Sequence, residues 1–177
     1  MTRSPKELIL GGVRSGKSRL AQRLAEESAM PVSYLATARI GDAGMAQRVE
    51  QHRRHRPAHW DLVEEPLALA DALGRTARPG RCLIVDCLTL WLTQLLCETG
   101  DARLTEETTA LLDALPELPG RIILIGNETS MGVLPPDELS RRYCDEAGNL
   151  HQALAGLCDR VVLTVAGLPL VLKGEPL

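Results

Sequence analysis

The 177-residue sequence predicts a P-loop NTPase-like α/β fold, with a doubly wound, mostly parallel sheet and helices on both faces. The first observation is a set of five short apolar runs rich in β-branched residues. Each run is nearly continuous, as is typical of strands buried on both faces. The second is the helical spacing of the segments between the runs, which predicts strands joined by right-handed crossovers. The third is the glycine-rich stretch GGVRSGKS, residues 11–18, directly after the first run.

The elements follow in chain order. Predicted strands cover residues 8–12, 32–38, 82–87, 122–126 and 161–165. Predicted helices cover residues 17–28, 43–55, 67–73, 89–97, 105–115 and 138–157. Residues 75–80 and 115–120 contain Pro and Gly and are expected to be loops, and residues 167–173 are a candidate terminal hairpin strand. No repeat or long linker divides the chain, so we expect a single P-loop nucleotide-binding catalytic domain over residues 1–177.

Composition and charge exclude several classes of protein. The net charge of −3 provides no basic field of the kind that nucleic-acid binding requires. No apolar run approaches the roughly 20 residues that span a bilayer, and the amino-terminal apolar stretch is too short for a signal peptide. The five cysteines are odd in number and show no CxxC pair, so free thiols are favoured over disulfides or a zinc site. We therefore expect a cytoplasmic protein without a membrane span or a nucleic-acid partner.

The stretch GGVRSGKS satisfies the phosphate-loop pattern G-x-x-x-x-G-K-[ST] between a predicted strand and a predicted helix. Its glycines let successive N–H groups turn inward as a nest for anions. We expect Lys17 to lie in a solvent-facing loop and reach the β- and γ-phosphates of a nucleotide, and Ser18 to ligate Mg²⁺. A chance glycine-rich turn is disfavoured, because strand, helix, Lys and Ser are all in register. The predicted phosphate contacts are Gly11, Gly12, Val13, Arg14, Ser15, Gly16, Lys17 and Ser18.

Asp86 follows the apolar residues 82–85 and therefore occupies a Walker-B position. Its carboxylate is expected near Ser18, where it would hold Mg²⁺, usually through water. Asp is also common as the cap of a following helix. The two roles are compatible, and the metal role is favoured because the phosphate loop already requires a cation.

The most unusual segment covers residues 45–60 and contains three of the four histidines, with arginines at positions 48, 53, 54 and 56. His52 shares the apolar face of the predicted helix with Met45 and Val49, and Pro57 ends that helix. A histidine that faces the protein among arginines suits an attack on phosphorus. The cations neutralise the phosphate and disfavour protonation of the ring.

Two other interpretations of this segment stay open on the residues alone. A solvated basic helix has a similar composition and is favoured on composition. A metal site built from His52, His55 and His59 is disfavoured, because Pro57 breaks the helical register and no acidic or thiolate ligand is near in sequence.

The chain as a whole resembles the bifunctional adenosylcobinamide kinase / adenosylcobinamide-phosphate guanylyltransferase family of cobalamin biosynthesis. The resemblance extends almost from end to end. It rests on GGVRSGKS, on YLATA at 34–38, on RVEQHRRHRPAHW at 48–60 and on Glu64. It also rests on VDCLTLWLTQLL at 85–96, GNETSMGVLPP at 126–136 and AGLPLVLKG at 166–174. The histidine-rich block and the block that begins with GNE are much more specific than the phosphate loop.

This resemblance implies two reactions on one chain. The first transfers the γ-phosphoryl group of ATP or GTP to adenosylcobinamide, with Lys17 as a catalytic residue and Mg²⁺ as cofactor. In the second, His52 attacks the α-phosphorus of GTP, and the guanylyl group then passes to adenosylcobinamide phosphate to give adenosylcobinamide-GDP. The resemblance thus makes His52 the guanylylated residue and reverses the preference from composition. It also implies a homo-oligomer, a trimer.

The resemblance further implies nucleotide contacts outside the phosphate loop, from Ala36, Thr37, Ala38, Arg53, Arg54, His55, Arg56, Glu64 and Asp86. Asn127 and Glu128 follow a predicted strand at its carboxyl end, where they either contact substrate or nucleotide or cap a loop. Two rival functions remain. One is a simple P-loop small-molecule kinase in which the histidines form a phosphate clamp, and the other is a non-enzymatic GTP-dependent switch.

Overall fold

The computed structural model describes residues 4–39, 41, 44, 47, 50 and 56–177. Of the predicted helix over 43–55, the described residues Gly44, Gln47 and Glu50 are helical and exposed. The predicted site residues His52, Arg53, Arg54 and His55 lie outside the described part of the chain. No helix within the described residues is long and apolar enough to cross a membrane.

Seven strands form one sheet in the order β3-β2-β4-β5-β1-β6-β7. They are β1 (Lys6–Gly11), β2 (Val32–Ala36), β3 (Asp61–Glu64), β4 (Cys82–Asp86), β5 (Arg121–Asn127), β6 (Arg160–Val165) and β7 (Leu168–Lys173). Strands β1 to β6 are parallel to one another, and β7 runs antiparallel to β6. The predicted mostly parallel sheet is confirmed, and β1 and β4 are separated by β5.

Five described helices connect the strands, close to their predicted positions. They are α1 (Lys17–Glu27), α2 (Leu69–Thr76), α3 (Leu88–Glu98), α4 (Asp101–Ala114) and α5 (Glu138–Leu157). Helix α5 has the predicted bounds. Its first turn is capped by Asp137, whose carboxylate accepts a hydrogen bond from the Ser140 N–H at 2.8 Å. Helix α4 begins before the predicted residue 105, with Asp101 in its first turn, where a carboxylate interacts favourably with the helix dipole.

Alternate side chains of the strands point to opposite faces, and each face has its own core. In β1, Leu8 and Leu10 lie in one cluster of buried residues and Ile9 lies in the other. Helix α1 packs on the second cluster through Leu20 and Leu24, whereas α2 to α5 contribute to the first. Helices therefore cover both faces, as the doubly wound prediction requires.

Of the two edge strands, β7 was a candidate in the sequence and β3 was not. Strand β3, with the sequence DLVE, was not predicted, because it is short and largely exposed and therefore lacks an apolar run. It is paired with β2 so that Glu64 lies beside Ala36. Strand β7 is the suggested hairpin strand. Ala166 and Gly167 both have positive φ, at 51° and 82°, as a two-residue type I′ turn requires.

Candidate active site

The phosphate loop begins where β1 ends, at Gly11, and this position has no space for a side chain. A Cβ at Gly11 would lie 2.4 Å from the hydroxyl oxygen of Thr164 and 2.5 Å from that of Ser15. Those two hydroxyl groups are hydrogen-bonded to each other at 2.7 Å, and both residues are buried. The first glycine of the loop thus lets β1 pass close to β6, and the Ser15–Thr164 bond ties the loop to that strand.

The β6–β7 turn supports the loop from the other side. The N–H of Gly167 donates to the carbonyl of Ser15 at 2.9 Å. Gly16 has a φ of 102°, and a Cβ there would lie 3.1 Å from the Cα of Gly167. The carboxyl-terminal AGLPLVLKG block therefore has a structural role at the phosphate loop, although it is far from the loop in sequence.

Lys17 is buried, with 8% of its surface exposed, which corrects the expectation of a solvent-facing lysine. Its Nζ donates to the carbonyl oxygen of Gly12 at 2.6 Å and lies 3.5 Å from the hydroxyl of Ser15. Burial lowers the pKa of Lys17, and the nearby Cys87 and Asp86 oppose that shift. The ammonium group therefore lies within the loop, next to the backbone that would surround a phosphate.

Asp86 ends β4 with its carboxylate at the phosphate loop. Its Oδ2 accepts a hydrogen bond from the Ser18 hydroxyl at 3.0 Å and a second from the Tyr34 hydroxyl at 2.6 Å. The residue that caps α3 is Cys87, which makes no side-chain cap bond, so the alternative role of Asp86 as a helix cap is not observed. The predicted proximity of Asp86 and Ser18 is present.

The Ser18–Asp86 pair suits a hard divalent cation. Because the Ser18 hydroxyl donates its hydrogen to Asp86, the oxygen lone pairs of Ser18 point elsewhere and can bind a metal. No group of three or more His, Cys, Asp or Glu side chains within the described residues could hold a metal ion. A cation here would take its other ligands from phosphate and water, which is the usual environment of Mg²⁺.

Tyr34 lies between Asp86 and the end of the histidine segment. Its side chain is buried, and the guanidinium carbon of Arg56 lies 5.2 Å from its ring centroid. Burial raises the pKa of Tyr34 far above its ordinary value, and the charge of Asp86 and the hydrogen bond to it add to this shift. The phenol therefore stays a hydrogen-bond donor. Among the predicted contacts at 53–56, Arg56 is the one that the structure describes.

Thr37 is completely buried and lies next to the backbone of Asp86 and Cys87. Its hydroxyl donates to the carbonyl of Cys87 at 2.7 Å and accepts from the N–H of Cys87 at 2.9 Å. Its own N–H donates to the carbonyl of Asp86 at 3.2 Å, and its carbonyl accepts from Nε2 of Gln94 at 2.7 Å. The hydroxyl of Thr37 is thus used to hold the backbone that follows Asp86.

The predicted contacts Ala36, Glu64 and Asp86 lie in register across three neighbouring strands. Ala36, the last residue of β2, is paired with Asp86 on one side and with Glu64 on the other. Ala38 follows two residues later and is half-buried. The carboxyl ends of parallel strands form one edge of the sheet, which is where doubly wound folds bind ligands.

The carboxyl end of β5 adds polar groups to this edge. The N–H of Asn127 donates to the hydroxyl of Thr89 at 2.7 Å, and the N–H of Glu128 donates to the carbonyl of Gly11 at 3.0 Å. The Glu128 carboxylate accepts hydrogen bonds from the N–H of Ser130, at 2.7 Å, and from its hydroxyl. Glu128 therefore lies beside the first loop glycine and also caps its own loop, so both expected roles are compatible with the geometry.

His151, the histidine that lies outside the histidine segment, is buried near Glu128. A Cβ on Gly126 would lie 3.0 Å from the Nε2 atom of His151, so this glycine provides room for the ring. Burial lowers the pKa of His151, although Glu128 acts in the opposite direction. Burial alone would raise the pKa of Glu128, but the Ser130 hydrogen bonds and His151 hold it below its ordinary value. Glu128 is thus an ionised carboxylate beside Gly11, the first residue of the phosphate loop.

Several residues of this site had no assigned role in the sequence, namely Tyr34, Thr164, Gly167 and His151. Two of them, Tyr34 and Gly167, belong to the blocks YLATA and AGLPLVLKG, which carried the family resemblance. Membership of these blocks was the sign in the sequence that Tyr34 and Gly167 matter. The blocks did not indicate what the two residues contact, because the partners are remote in sequence.

Comparison with known proteins gives a consistent result over nearly the whole chain. The family model described as "Cobinamide kinase / cobinamide phosphate guanyltransferase" matches residues 7–172. The bifunctional adenosylcobalamin biosynthesis protein CobP of Pseudomonas aeruginosa is 64% identical, covering 97% of this chain and 99% of that protein. The bifunctional adenosylcobalamin biosynthesis protein CobU of Escherichia coli is 34% identical, covering 94% of this chain and 98% of that protein.

Solved structures share the fold at low sequence identity. A Pyrococcus horikoshii OT3 protein has a TM-score of 0.58 at 6% identity, covering 99% of this chain and 90% of its own. The RadB recombinase has a TM-score of 0.54 at 14% identity, covering 98% of this chain and 83% of its own. These likenesses support the P-loop α/β fold and carry no information on the reaction.

Proposed function

Because this chain belongs to the cobinamide kinase / cobinamide phosphate guanyltransferase family, we propose that it catalyses both reactions of that family. It phosphorylates adenosylcobinamide with ATP or GTP and then transfers the guanylyl group of GTP to adenosylcobinamide phosphate. The observation that carries this proposal is the 3.0 Å hydrogen bond between Ser18 and Asp86 at the end of a phosphate loop. This hydrogen bond supports a site for a nucleoside triphosphate and its cation.

In the kinase reaction, the chain mainly positions the reactants and neutralises charge. The loop N–H groups would surround the β- and γ-phosphates, and Lys17 would turn from the carbonyl of Gly12 toward them. Mg²⁺, when bound, would neutralise the phosphate oxygens, and Ser18 and Asp86 are the residues that would hold it. The acceptor hydroxyl forms a bond to the γ-phosphorus as the bond to the β,γ-bridging oxygen breaks. The hydroxyl loses its proton in this step, and Glu128, ionised beside Gly11, is suited to accept that proton as the nucleoside diphosphate leaves.

In the guanylyl reaction, we assign the nucleophile to His52 on the strength of the family block RVEQHRRHRPAHW. A ring nitrogen forms a bond to the α-phosphorus of GTP, and pyrophosphate leaves. The phosphate of adenosylcobinamide phosphate then attacks the phosphoramidate and releases the histidine. The contact of Arg56 with Tyr34 supports this assignment, because it brings the end of the histidine segment beside Asp86.

Covalent labelling with [α-³²P]GTP tests the proposal. We expect the wild-type protein to retain a label that is acid-labile and stable in alkali. The His52→Ala variant should take up no label but keep most of its kinase activity. His59→Ala is the matched control, since His59 is exposed and lies beyond Pro57. Full labelling of His52→Ala would refute the assigned nucleophile. A wild-type protein without label would favour the simple kinase or the GTP switch.

We propose two further properties, a trimeric assembly and a cytoplasmic location. The family resemblance implies a homotrimer, which analytical ultracentrifugation would detect as a mass three times that of the 19.2 kDa chain. The five cysteines are free thiols, which suits a reducing compartment such as the cytoplasm. A monomeric mass at micromolar concentration would contradict the trimer.

A further inference from the structure

Tyr34 presents two chemically different surfaces to the site. Its hydroxyl donates to Oδ2 of Asp86 at 2.6 Å, and one face of its ring contacts the guanidinium of Arg56 at 5.2 Å. Neither the phosphate-loop pattern nor the histidine segment includes this residue. Tyr34 therefore has one surface toward Asp86 and the other toward Arg56.

The hydroxyl restricts the Asp86 carboxylate. Tyr34 and Ser18 both donate to the same oxygen, Oδ2, so rotation of the carboxylate would break two hydrogen bonds at once. Tyr34 itself has little freedom, because 5% of its surface is exposed and it packs in the core cluster that includes Trp60. A buried aromatic side chain on a central strand is a rigid support for the group that it contacts.

The ring provides a support for residues 56–60, the carboxyl end of the histidine segment. Arg56 lies over the ring, and a guanidinium over an aromatic face is held by cation–π attraction. Trp60, four residues later, is buried in the same cluster, and its backbone N–H donates to the carbonyl of Pro57 at 3.2 Å. Residues 56–60 are therefore attached to the core at both ends, at Tyr34 and at Trp60. Arg56 is four residues along the chain from His52.

We propose that Tyr34 is a positioning residue for both reactions, through its hydroxyl on Asp86 and its ring under Arg56. The hydroxyl holds the carboxylate that orients the cation, and the ring holds the carboxyl end of the segment that bears the nucleophile. This inference rests on the proposed function. It adds a residue that supports both the cation site and the histidine segment.

Two substitutions at Tyr34 separate the role of its hydroxyl from the role of its ring. Tyr34→Phe removes the hydroxyl and keeps the ring, and Tyr34→Met removes both while filling much of the same core volume. Tyr143→Phe is the matched control, because Tyr143 is the other tyrosine of the chain and its side chain is half-buried. Circular dichroism confirms the fold of each variant before any binding experiment.

The first measurement is the affinity of Mn²⁺ for the complex of the protein with guanosine 5′-[α,β-methylene]triphosphate, followed by electron paramagnetic resonance. The methylene bridge prevents loss of pyrophosphate, so no guanylyl group is transferred to the protein during the titration. We expect Tyr34→Phe to weaken Mn²⁺ binding roughly tenfold, since loss of a hydrogen bond to a metal-orienting group has an effect of this order. Tyr143→Phe should bind Mn²⁺ like the wild type. Wild-type Mn²⁺ affinity in Tyr34→Phe would overturn the role of the hydroxyl. This measurement does not depend on guanylylation, so it remains informative if the proposed function fails.

The second measurement is the rate of [α-³²P]GTP labelling at saturating Mg²⁺. We expect Tyr34→Met to label more slowly than Tyr34→Phe, because only Tyr34→Phe retains the ring under Arg56. A double-mutant cycle with Arg56→Gln should show non-additive losses, as residues in direct contact do. Equal labelling rates of the two Tyr34 variants, or additive losses in the cycle, would overturn the role of the ring. Absence of label in the wild type would instead count against the proposed function.

Discussion

Thr37 offers a sensitive test of how the fold positions Asp86. The substitution Thr37→Val keeps the shape of a completely buried side chain but removes its hydroxyl. That hydroxyl is hydrogen-bonded to both backbone groups of Cys87, at 2.7 Å to the carbonyl oxygen and 2.9 Å to the N–H nitrogen. Each group left without a partner costs about 1–2 kcal/mol at a partly buried position. The free energy of unfolding should therefore fall by about 2–4 kcal/mol.

The catalytic consequence follows from the position of Cys87 next to Asp86. A backbone released at Cys87 allows the Asp86 carboxylate to move away from Ser18, so a higher Mg²⁺ concentration should be needed for half-maximal kinase activity. Urea unfolding followed by circular dichroism measures the stability, and a Mg²⁺ titration of the kinase rate measures the second effect.

Thr37→Ser is the matched control, because it keeps the hydroxyl and loses one methyl group. It should cost about 1 kcal/mol and leave the Mg²⁺ dependence unchanged. If Thr37→Val were as stable as Thr37→Ser, or required no more Mg²⁺, the hydroxyl would not be what holds this part of the backbone.

Four further predictions concern the phosphate loop, Asp86 and His151. Lys17→Ala should lower kinase kcat about 10²–10³-fold with a native circular dichroism spectrum, and turnover near that of the wild type would contradict the phosphate-loop assignment. Asp86→Asn should weaken GTP binding more with Mg²⁺ than without it in calorimetric titrations, whereas equal losses would point to a structural Asp. Gly11→Ala should destabilise the fold by about 3 kcal/mol or more in urea unfolding, because its Cβ would lie within 2.5 Å of three atoms. Gly12→Ala, whose Cβ would meet no atom within 4 Å, should stay within about 1 kcal/mol of wild type. Burial lowers the pKa of His151 below the value of about 6.5 in the unfolded chain, so the unfolded chain binds more protons. Stability should therefore decline as pH falls below about 6.5, and His151→Gln should show a smaller decline in unfolding experiments across that range.

The sequence alone was sufficient for the phosphate loop, the Walker-B position and the buried elements of the sheet. Residues such as Leu8 and Ile9 belong to a continuous apolar run, because opposite faces of β1 pack against different helices. A local pattern of this kind reports burial directly, so strands and helices in the core were recognisable. Strand β3 was missed for the same reason, since an exposed edge strand carries no such pattern.

Tertiary structure alone decided which side chains meet at the site. Tyr34 and Asp86 are 52 residues apart, and Ser15 and Thr164 are 149 apart. Those contacts depend on the order of strands in the sheet, which places β2 beside β4 and β6 beside β1. The order is set by the packing of the whole domain, a sum of many long-range burial energies that no local window of sequence contains. The burial of Lys17 has the same origin, because the loop that surrounds it is held in place by β6 and the turn at Gly167.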